Sequence, residues 1–149
     1  MKKLITAILM VMAAVTAYAF PFDKYSLNRS DLPQEAQEFL STYFPKGKVS
    51  MIKVDKHLFK KTDYDVKLVN GTKIEFNNKG KWTSVDCKTR QVPEVLVIKP
   101  IQRYVDKQFP GTKIVKIEKK TLGFEIELSD GVELKFDRLG TFKSMSMDD

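Results

Sequence analysis

Strict alternation of apolar and polar residues marks two stretches of the chain, residues 64–82 and 124–142. Each stretch has an apolar residue at every second position, then Asn-Gly or Asp-Gly, and then the same alternation again. Asn-Gly and Asp-Gly tolerate the positive φ angles of the tight turns that join antiparallel strands. The pattern therefore predicts a β-hairpin in each stretch.

The alternation also assigns side chains to the two faces of the predicted sheet. The apolar face takes Tyr64, Val66, Leu68, Ile74, Phe76, Phe124, Ile126, Leu128, Val132, Leu134 and Phe136. The opposite face takes charged side chains, namely Asp65, Lys67, Lys73, Glu75, Glu125, Glu127, Glu133 and Lys135. This division is typical of an antiparallel sheet that packs on one side and meets water on the other. A second turn leads to a third strand, from Trp82 and from Phe142.

An amphipathic helix is predicted before each of these meanders. Apolar residues recur three or four apart over residues 32–44, and the pattern returns 65 residues later over residues 97–109. We expect Ser30 or Asp31 to cap the first helix and Pro100 to lie in the first turn of the second.

The two halves of the chain therefore carry the same order of elements. Each helix is followed by four strands, the first of them at residues 49–54 or 114–118. A unit of about 60 residues buries a small fraction of its surface, whereas about 130 residues bury more. We predict an α+β fold that is a tandem duplication of a helix plus a four-stranded antiparallel meander. Its two repeats, residues 20–90 and 91–149, are expected to form one compact unit.

The first 19 residues have the pattern of a secretory signal peptide. Two lysines precede an apolar run, and Ala-Tyr-Ala at residues 17–19 is a typical cleavage site. The apolar run is shorter than the roughly 20 residues of a membrane span, although an uncleaved anchor is the alternative. We predict cleavage after Ala19, no stable membrane insertion afterwards, and a periplasmic or secreted protein.

The charge distribution argues against one class of partner, and the cysteine content excludes one kind of covalent stabilisation. The formal net charge is +7, or +5 without the two leader lysines, and the basic residues alternate with acids instead of forming one patch. Nucleic-acid binding normally needs a clustered basic patch, so no nucleic-acid partner is expected. Cys87 is the single cysteine, which excludes an internal disulfide. Its counterpart in the second half is Met147, and we expect both positions to be buried.

Catalytic chemistry finds little support in the residue types. The single histidine, His57, has no ligands at metal-binding spacing beside it, and no Gly-x-Ser-x-Gly motif is present. Glu125 and Glu127 lie on the same side of a strand and could serve a glycosidase-type reaction. Pairing with lysines on neighbouring strands explains them more simply. We therefore expect no catalytic residue, metal or cofactor.

Two further features are candidates for partner contacts. Trp82 either packs in the core or projects onto the open face as an aromatic anchor. The first half has five extra residues between its first two strands, where Lys56, Phe59 and Lys60 make a basic, partly apolar tip. This tip either contacts a partner or an anionic surface, or is a longer solvated hairpin.

These motifs resemble the PepSY-like family of exported proteins. Each half ends its helix with Phe-Pro and continues with Tyr/Phe-x-Val/Ile-x-Leu-x-Asn/Asp-Gly-x-x-Ile/Leu-x-Phe-x-x-x-Gly-x-Trp/Phe, and the resemblance covers roughly residues 27–147. That family is similar in fold to the β-lactamase inhibitor protein, whose concave sheet face grips an enzyme, and the broader PepSY name carries a proposal of peptidase regulation. The resemblance implies two helices on one face of a curved antiparallel sheet, with the other face open. The motif belongs to the scaffold, so no inhibitory residues carry over.

The sequence thus predicts a non-enzymatic binding module that engages a protein or peptide partner in the cell envelope, with regulation of an envelope enzyme or peptidase as one role. The alternatives are a carboxylate-dependent hydrolase and a structural or envelope-stress protein. The predicted contact residues are Asp65, Lys67, Lys73, Glu75, Trp82, Glu125, Glu127, Glu133, Lys135, Lys56, Phe59 and Lys60.

Overall fold

A computed structural model describes residues 23–56 and 62–147 of the chain. Two α-helices and nine strands occur there. In chain order they are β1 Lys24–Ser26, α1 Gln34–Tyr43, β2 Val49–Asp55, β3 Asp63–Leu68, β4 Lys73–Phe76, β5 Trp82–Asp86, α2 Lys99–Gln108, β6 Ile114–Lys120, β7 Gly123–Leu128, β8 Val132–Asp137 and β9 Phe142–Met147. Short 3₁₀ turns, Arg29–Asp31 and Glu94–Leu96, precede the two helices.

All nine strands form one antiparallel sheet in which strand order equals chain order. Both hairpins, both third strands and a helix before each meander are present, so the predicted α+β class is confirmed. Strand β5 pairs with β6, with Val85 opposite Ile117, and this pairing joins the two halves edge to edge.

One face of the sheet carries the core. The predicted apolar residues lie on this face, and both Ile74 and Leu134 have no exposed surface. Helix α1 packs here through Phe39, whose ring lies 5.4 Å from that of Phe76. Helix α2 packs on the same face, because Phe136, 5.4 Å from the ring of Tyr104, lies on the side of Leu134. We call this the helix face and the other the open face.

The start of the first helix differs from the prediction. The expected cap at Ser30 or Asp31 is wrong, because these residues belong to the separate 3₁₀ turn, which Asn28 caps by accepting a hydrogen bond from the Ser30 amide. Leu32 precedes Pro33 and is extended, with ψ 151°, as steric contact with a following proline requires. The helix therefore begins only at Gln34. Pro100 does lie in the first turn of α2, as predicted.

The two positions that were expected to be buried behave differently. Cys87 is 3% exposed, and burial raises the pKa of its thiol. Its counterpart Met147 is 67% exposed, so the prediction of burial is wrong there. The reason is position in the sheet, since β5 has β6 beside it whereas β9 is the last strand.

Some predictions fall on residues outside the described ranges. These are the signal peptide and its cleavage site, as well as His57, Phe59 and Lys60 in the extra segment of the first half. Lys56, the residue after β2, is described and exposed.

Two turns that contain glycine pack closely against the starts of the two helices. Gly80 has φ +82°, and a Cβ built on it would lie 2.8 Å from the Cβ of Pro33, at the start of α1. Gly140 has φ +83°, and its Cβ would lie 2.8 Å from the Cβ of Pro100 in α2. Each of these turns therefore needs glycine both for its backbone conformation and for close approach of the helix.

We expect Gly80→Ala to lower the free energy of unfolding by about 2–4 kcal/mol, because strain at positive φ adds to a clash with a helix start. The matched control is Gly131→Ala. Gly131 has φ +86° but no atom within 4 Å of its Cβ position, so only the conformational cost of about 1–2 kcal/mol applies. Urea denaturation of both variants measures the difference, and equal losses would contradict the packing role of Gly80.

Candidate binding face

The open face carries a continuous row of side chains, one from each strand, which we call the central row. Its members in strand order are Tyr25, Lys53, Asp65, Glu75, Ser84, Glu118, Glu125, Lys135 and Ser144. Four of the predicted contact residues therefore share one row across both halves. Lys53, Ser84 and Glu118 were missed, because the sequence did not reveal how the neighbouring strands pair.

A second row runs beside the central row. It contains Met51, Lys67, Lys73, Asp86, Lys116, Glu127, Glu133 and Ser146. All eight charged residues that the alternation assigned to the open face thus lie there, in two adjacent rows.

Like charges face each other in the second half, Glu118 opposite Glu125 and Glu127 opposite Glu133, but the expected pairing with lysines is present for Glu125. Lys135 lies 3.4 Å from Glu125 on the neighbouring strand. Lys120 reaches Glu118 at 2.6 Å and Glu125 at 3.7 Å. These carboxylates are therefore compensated by lysines of the chain itself.

In the first half like charges also face each other, but there, within the described ranges, they lack lysine ion pairs. Asp65 lies directly opposite Glu75, and Lys67 directly opposite Lys73, so like charges face each other. Such pairs are destabilising in a sheet. Among the described residues, neither the Asp65 nor the Glu75 carboxylate has an ion pair or a hydrogen bond.

The lysine that could neutralise Asp65 is already engaged. Lys53 is opposite Asp65 in the register, but its ammonium lies 2.8 Å from Asp55 and 3.2 Å from Asp23. The hydrogen bonds to Asp55 and Asp23 raise the pKa of Lys53, which keeps its charge. Asp65 and Glu75 therefore form no ion pair within the described residues, although Lys53, Lys67 and Lys73 lie along the same surface.

Electrostatics at this pair follow from its surroundings. Partial burial raises the pKa of Asp65, and the nearby charge of Asp55 adds to this shift. Partial burial likewise raises the pKa of Glu75, with repulsion from Asp65 as the second cause. Both carboxyls therefore hold protons more tightly than in an unfolded chain.

Two clefts flank the pair on the open face. One, of about 180 Å³, is lined by Met51, Lys53, Lys67 and Lys73 together with the pair itself. The other, of about 320 Å³, is lined by Asp55, Asp63 and Thr83 on the far side. Asp65 and Glu75 are thus accessible from both sides along their strands.

Trp82 is not on the open face, so its interpretation as an anchor there is wrong. It lies on the helix face, with its ring centroid 6.3 Å from that of Phe39. The ammonium of Lys119, from the neighbouring β6, lies 3.7 Å from the centre of the Trp82 ring. Burial and the charge of Lys81 lower the pKa of Lys119. A bulge explains the error, because Phe76 pairs with Trp82 and Thr83 is the extra residue.

No group of three or more histidine, cysteine or acidic side chains is placed to hold a metal ion among residues 23–56 and 62–147. In the same ranges no helix combines the length and apolar character that a membrane crossing requires.

Comparison with known families matches residues 62–144 to the model described as "Putative beta-lactamase-inhibitor-like, PepSY-like". This chain belongs to the PepSY-like family. The match spans β3 to β8 and the first half of β9, and so includes both rows of the open face except Ser146 and the residues of β1 and β2. A comparison with curated proteins gives no match.

Three solved structures resemble this PepSY-like protein along most of its length. A "putative periplasmic protein of unknown function" from Bacteroides vulgatus is 39% identical, with a TM-score of 0.80, covering 84% of this chain and 99% of that one. A "putative periplasmic protein from DUF2874 family" of the same species is 40% identical, with a TM-score of 0.78 and coverage of 85% and 98%. A "putative calcium-regulated periplasmic protein" from Bacteroides thetaiotaomicron is 35% identical, with a TM-score of 0.78 and coverage of 83% and 96%.

We expect Glu75→Gln to stabilise the PepSY-like fold at pH 7 by about 0.5–1 kcal/mol, because it removes a like-charge pair that solvent partly screens. The pKa of Glu75 is raised above the ordinary value of 4.5, so its contribution to stability is largest below that value and is lost as the pH rises. The gain should therefore disappear near pH 3, where both carboxyls are protonated. Urea denaturation at the two pH values measures it.

The matched control is Glu125→Gln, in the same row. Glu125 also has an acid opposite it, Glu118, but it contacts Lys135 and Lys120, so this change removes ion pairs and should give no gain at pH 7. Equal effects of the two variants at pH 7 would show that the charges opposite Glu75 do not destabilise the fold.

Proposed function

We propose that this protein is a non-enzymatic binding module of the cell envelope, and that its open face binds a basic segment of a protein or peptide partner. The central row would supply the contact surface. Asp65 and Glu75 would receive the cationic side chains of the partner, and the second row would add the charges of Lys67, Lys73, Glu127 and Glu133.

The carboxylate pair of Asp65 and Glu75 is the observation that supports this proposal. The two acids face each other on adjacent strands, and partial burial raises the pKa of each. A lysine or arginine from a partner would neutralise the repulsion and form charge-assisted hydrogen bonds. The binding energy would thus include relief of a strain that the free protein carries.

The scaffold suits this role. Behind the pair, Val66 and Ile74 are buried on the helix face, so the backbone that carries the two acids is fixed by packing. A contact surface on rigid strands loses little conformational freedom when a partner docks.

Export is part of the proposal. The resembling structures carry descriptions as periplasmic proteins. The leader of residues 1–19 would direct this chain to the same compartment, with cleavage after Ala19. A role in regulating an envelope enzyme or peptidase belongs to the same proposal.

We also infer that the two halves are duplicates of one ancestral unit. Bulges occur at equivalent places, between Val49 and Met51 and between Ile114 and Lys116. A second matching pair of bulges occurs where β4 meets β5 and where β8 meets β9. The glycine turns at Gly80 and Gly140 also contact equivalent prolines at the helix starts. Such matching irregularities support common ancestry because they are not required by the fold class.

A carboxylate-dependent hydrolase is the second candidate, favoured by the raised pKa values of Asp65 and Glu75 in a cleft of about 320 Å³. It is supported less well, because Glu75 is exposed and the pair lies on an open sheet face. Catalytic sites usually enclose their substrate and exclude water.

The calcium regulation in the description of one resembling structure is not carried over to this chain. Its described residues contain no cluster suited to hold a metal ion. Measuring partner binding with and without a calcium chelator tests whether calcium affects binding at the open face.

The proposal predicts that reversing the carboxylate pair abolishes partner binding. Wild-type protein and an Asp65→Lys/Glu75→Lys variant would be immobilised and exposed to envelope proteins at low salt. We expect basic partners to be retained by the wild type and lost from the variant, because attraction becomes repulsion. Retention should also fall as salt is raised. Mass spectrometry of the retained fraction measures both effects.

The matched control is Glu35→Lys/Glu38→Lys, which reverses two exposed charges of α1 on the opposite side of the sheet. It changes the net charge equally and should retain the same partners. If both double variants lose the same partners, net charge and not the open face governs binding.

A further inference from the structure

The last strand of the sheet, β9, has no neighbour on its outer side within the described chain. We propose that β9 pairs antiparallel with β9 of a second copy, so that two sheets join into one around a two-fold axis. This interface lies at the sheet edge and is independent of the partner proposed for the open face.

The junction between the halves shows what covers a strand in this position. Val85 lies in β5, and Cys87 directly follows that strand. They are only 0% and 3% exposed, because β6 lies beside them. The residues at the same places of the second half are Met145 and Met147, opposite Leu134 and Val132 in the register. They are apolar like their counterparts, but 57% and 67% exposed. A further antiparallel strand would cover them as β6 covers β5.

The edge itself is suited to pairing. Exposed edge strands are usually short, charged or interrupted by proline, which prevents association. The other edge strand, β1, follows this rule with three residues. Strand β9 has six residues, no proline and one charge, Lys143, which is 3.9 Å from Asp137 of its own hairpin.

A second copy is the occupant that fits, because β9 is complementary to itself. A two-fold axis perpendicular to the sheet keeps the helices of both copies on one side. With Ser146 at the axis, Met145 faces Met147 of the other copy twice over on the helix face. The open face presents serines near the axis, Ser144 and Ser146, so like charges do not meet there.

The test uses the exported protein purified from the periplasm of a producing cell. Sedimentation analysis over rising concentration should show the mass doubling and then remaining constant. Met145→Glu/Met147→Glu would place four carboxylates together, and we expect the dissociation constant to rise by about tenfold or more, which corresponds to about 1.4 kcal/mol. Leu139→Glu is the matched control, since Leu139 is 80% exposed in the hairpin turn before β9 and should leave the dimer unchanged.

Oxidative cross-linking locates the interface independently of the charge variants. Ser146→Cys should form a disulfide between two chains, because facing residues of paired strands lie within bridging distance. Leu139→Cys should not form this disulfide. The wild type sets the background, since its own Cys87 is buried.

Four results would overturn the proposal. The first is a monomer at every concentration, which would leave the edge to a strand of another protein. The second is a series of growing oligomers, which would indicate head-to-tail pairing of β9 with β1. The other two are a folded glutamate variant that dimerises like the wild type and the absence of a cross-link in Ser146→Cys.

Discussion

The pairing of β5 with β6 is the contact on which the rest of the structure depends. Its centre is Val85 opposite Ile117, both fully buried on the helix face. The Cys87 amide continues it by donating to the Val115 carbonyl at 2.8 Å, and the Val92 amide donates to Ile114 at the same distance. Burial of each large aliphatic side chain contributes about 1.5–3 kcal/mol. Each helix packs on its own meander, so this pairing, which we call the seam, joins the two meanders into one sheet.

The seam also creates the continuous open face. Ser84 in β5 lies opposite Glu118 in β6, and through this pair the carboxylates of the first half continue into those of the second. The two halves use the same scaffold for different electrostatics. Glu125 is compensated by lysines, whereas Asp65 and Glu75 are not. Uncompensated charge on an otherwise regular fold is typical of functional positions.

Alternation in the sequence predicted strands and faces because side chains point to opposite sides of a strand at every step. It also predicted that the charged residues would share one face. It did not predict which of them face each other, because register across β2, β5 and β6 depends on long-range pairing. Asp65 opposite Glu75 was missed for another reason, since both lie in the hairpin of β3 and β4, whose register depends on the exact length of its turn.

Local irregularities account for the other errors. A bulge at Thr83 turns Trp82 to the helix face, and a simple period of two cannot reveal the extra residue. Pro33 imposes an extended conformation on Leu32, which moves the helix start past the expected cap. Met147 is apolar, like the buried Cys87 at the equivalent position, but it lies on the last strand of the sheet. Sequence similarity between halves cannot distinguish an inner strand from an outer one.

The contact of Trp82 with Lys119 has a practical consequence. Trp82 is the single tryptophan of the chain, and it belongs to β5 while the ammonium above its ring belongs to β6. The indole therefore reports on the junction of the halves and, through its contact with Phe39, on the packing of α1. Its intrinsic fluorescence gives a label-free signal for parting of the halves, which can be followed beside circular dichroism of the whole chain to show whether the seam opens before the strands melt.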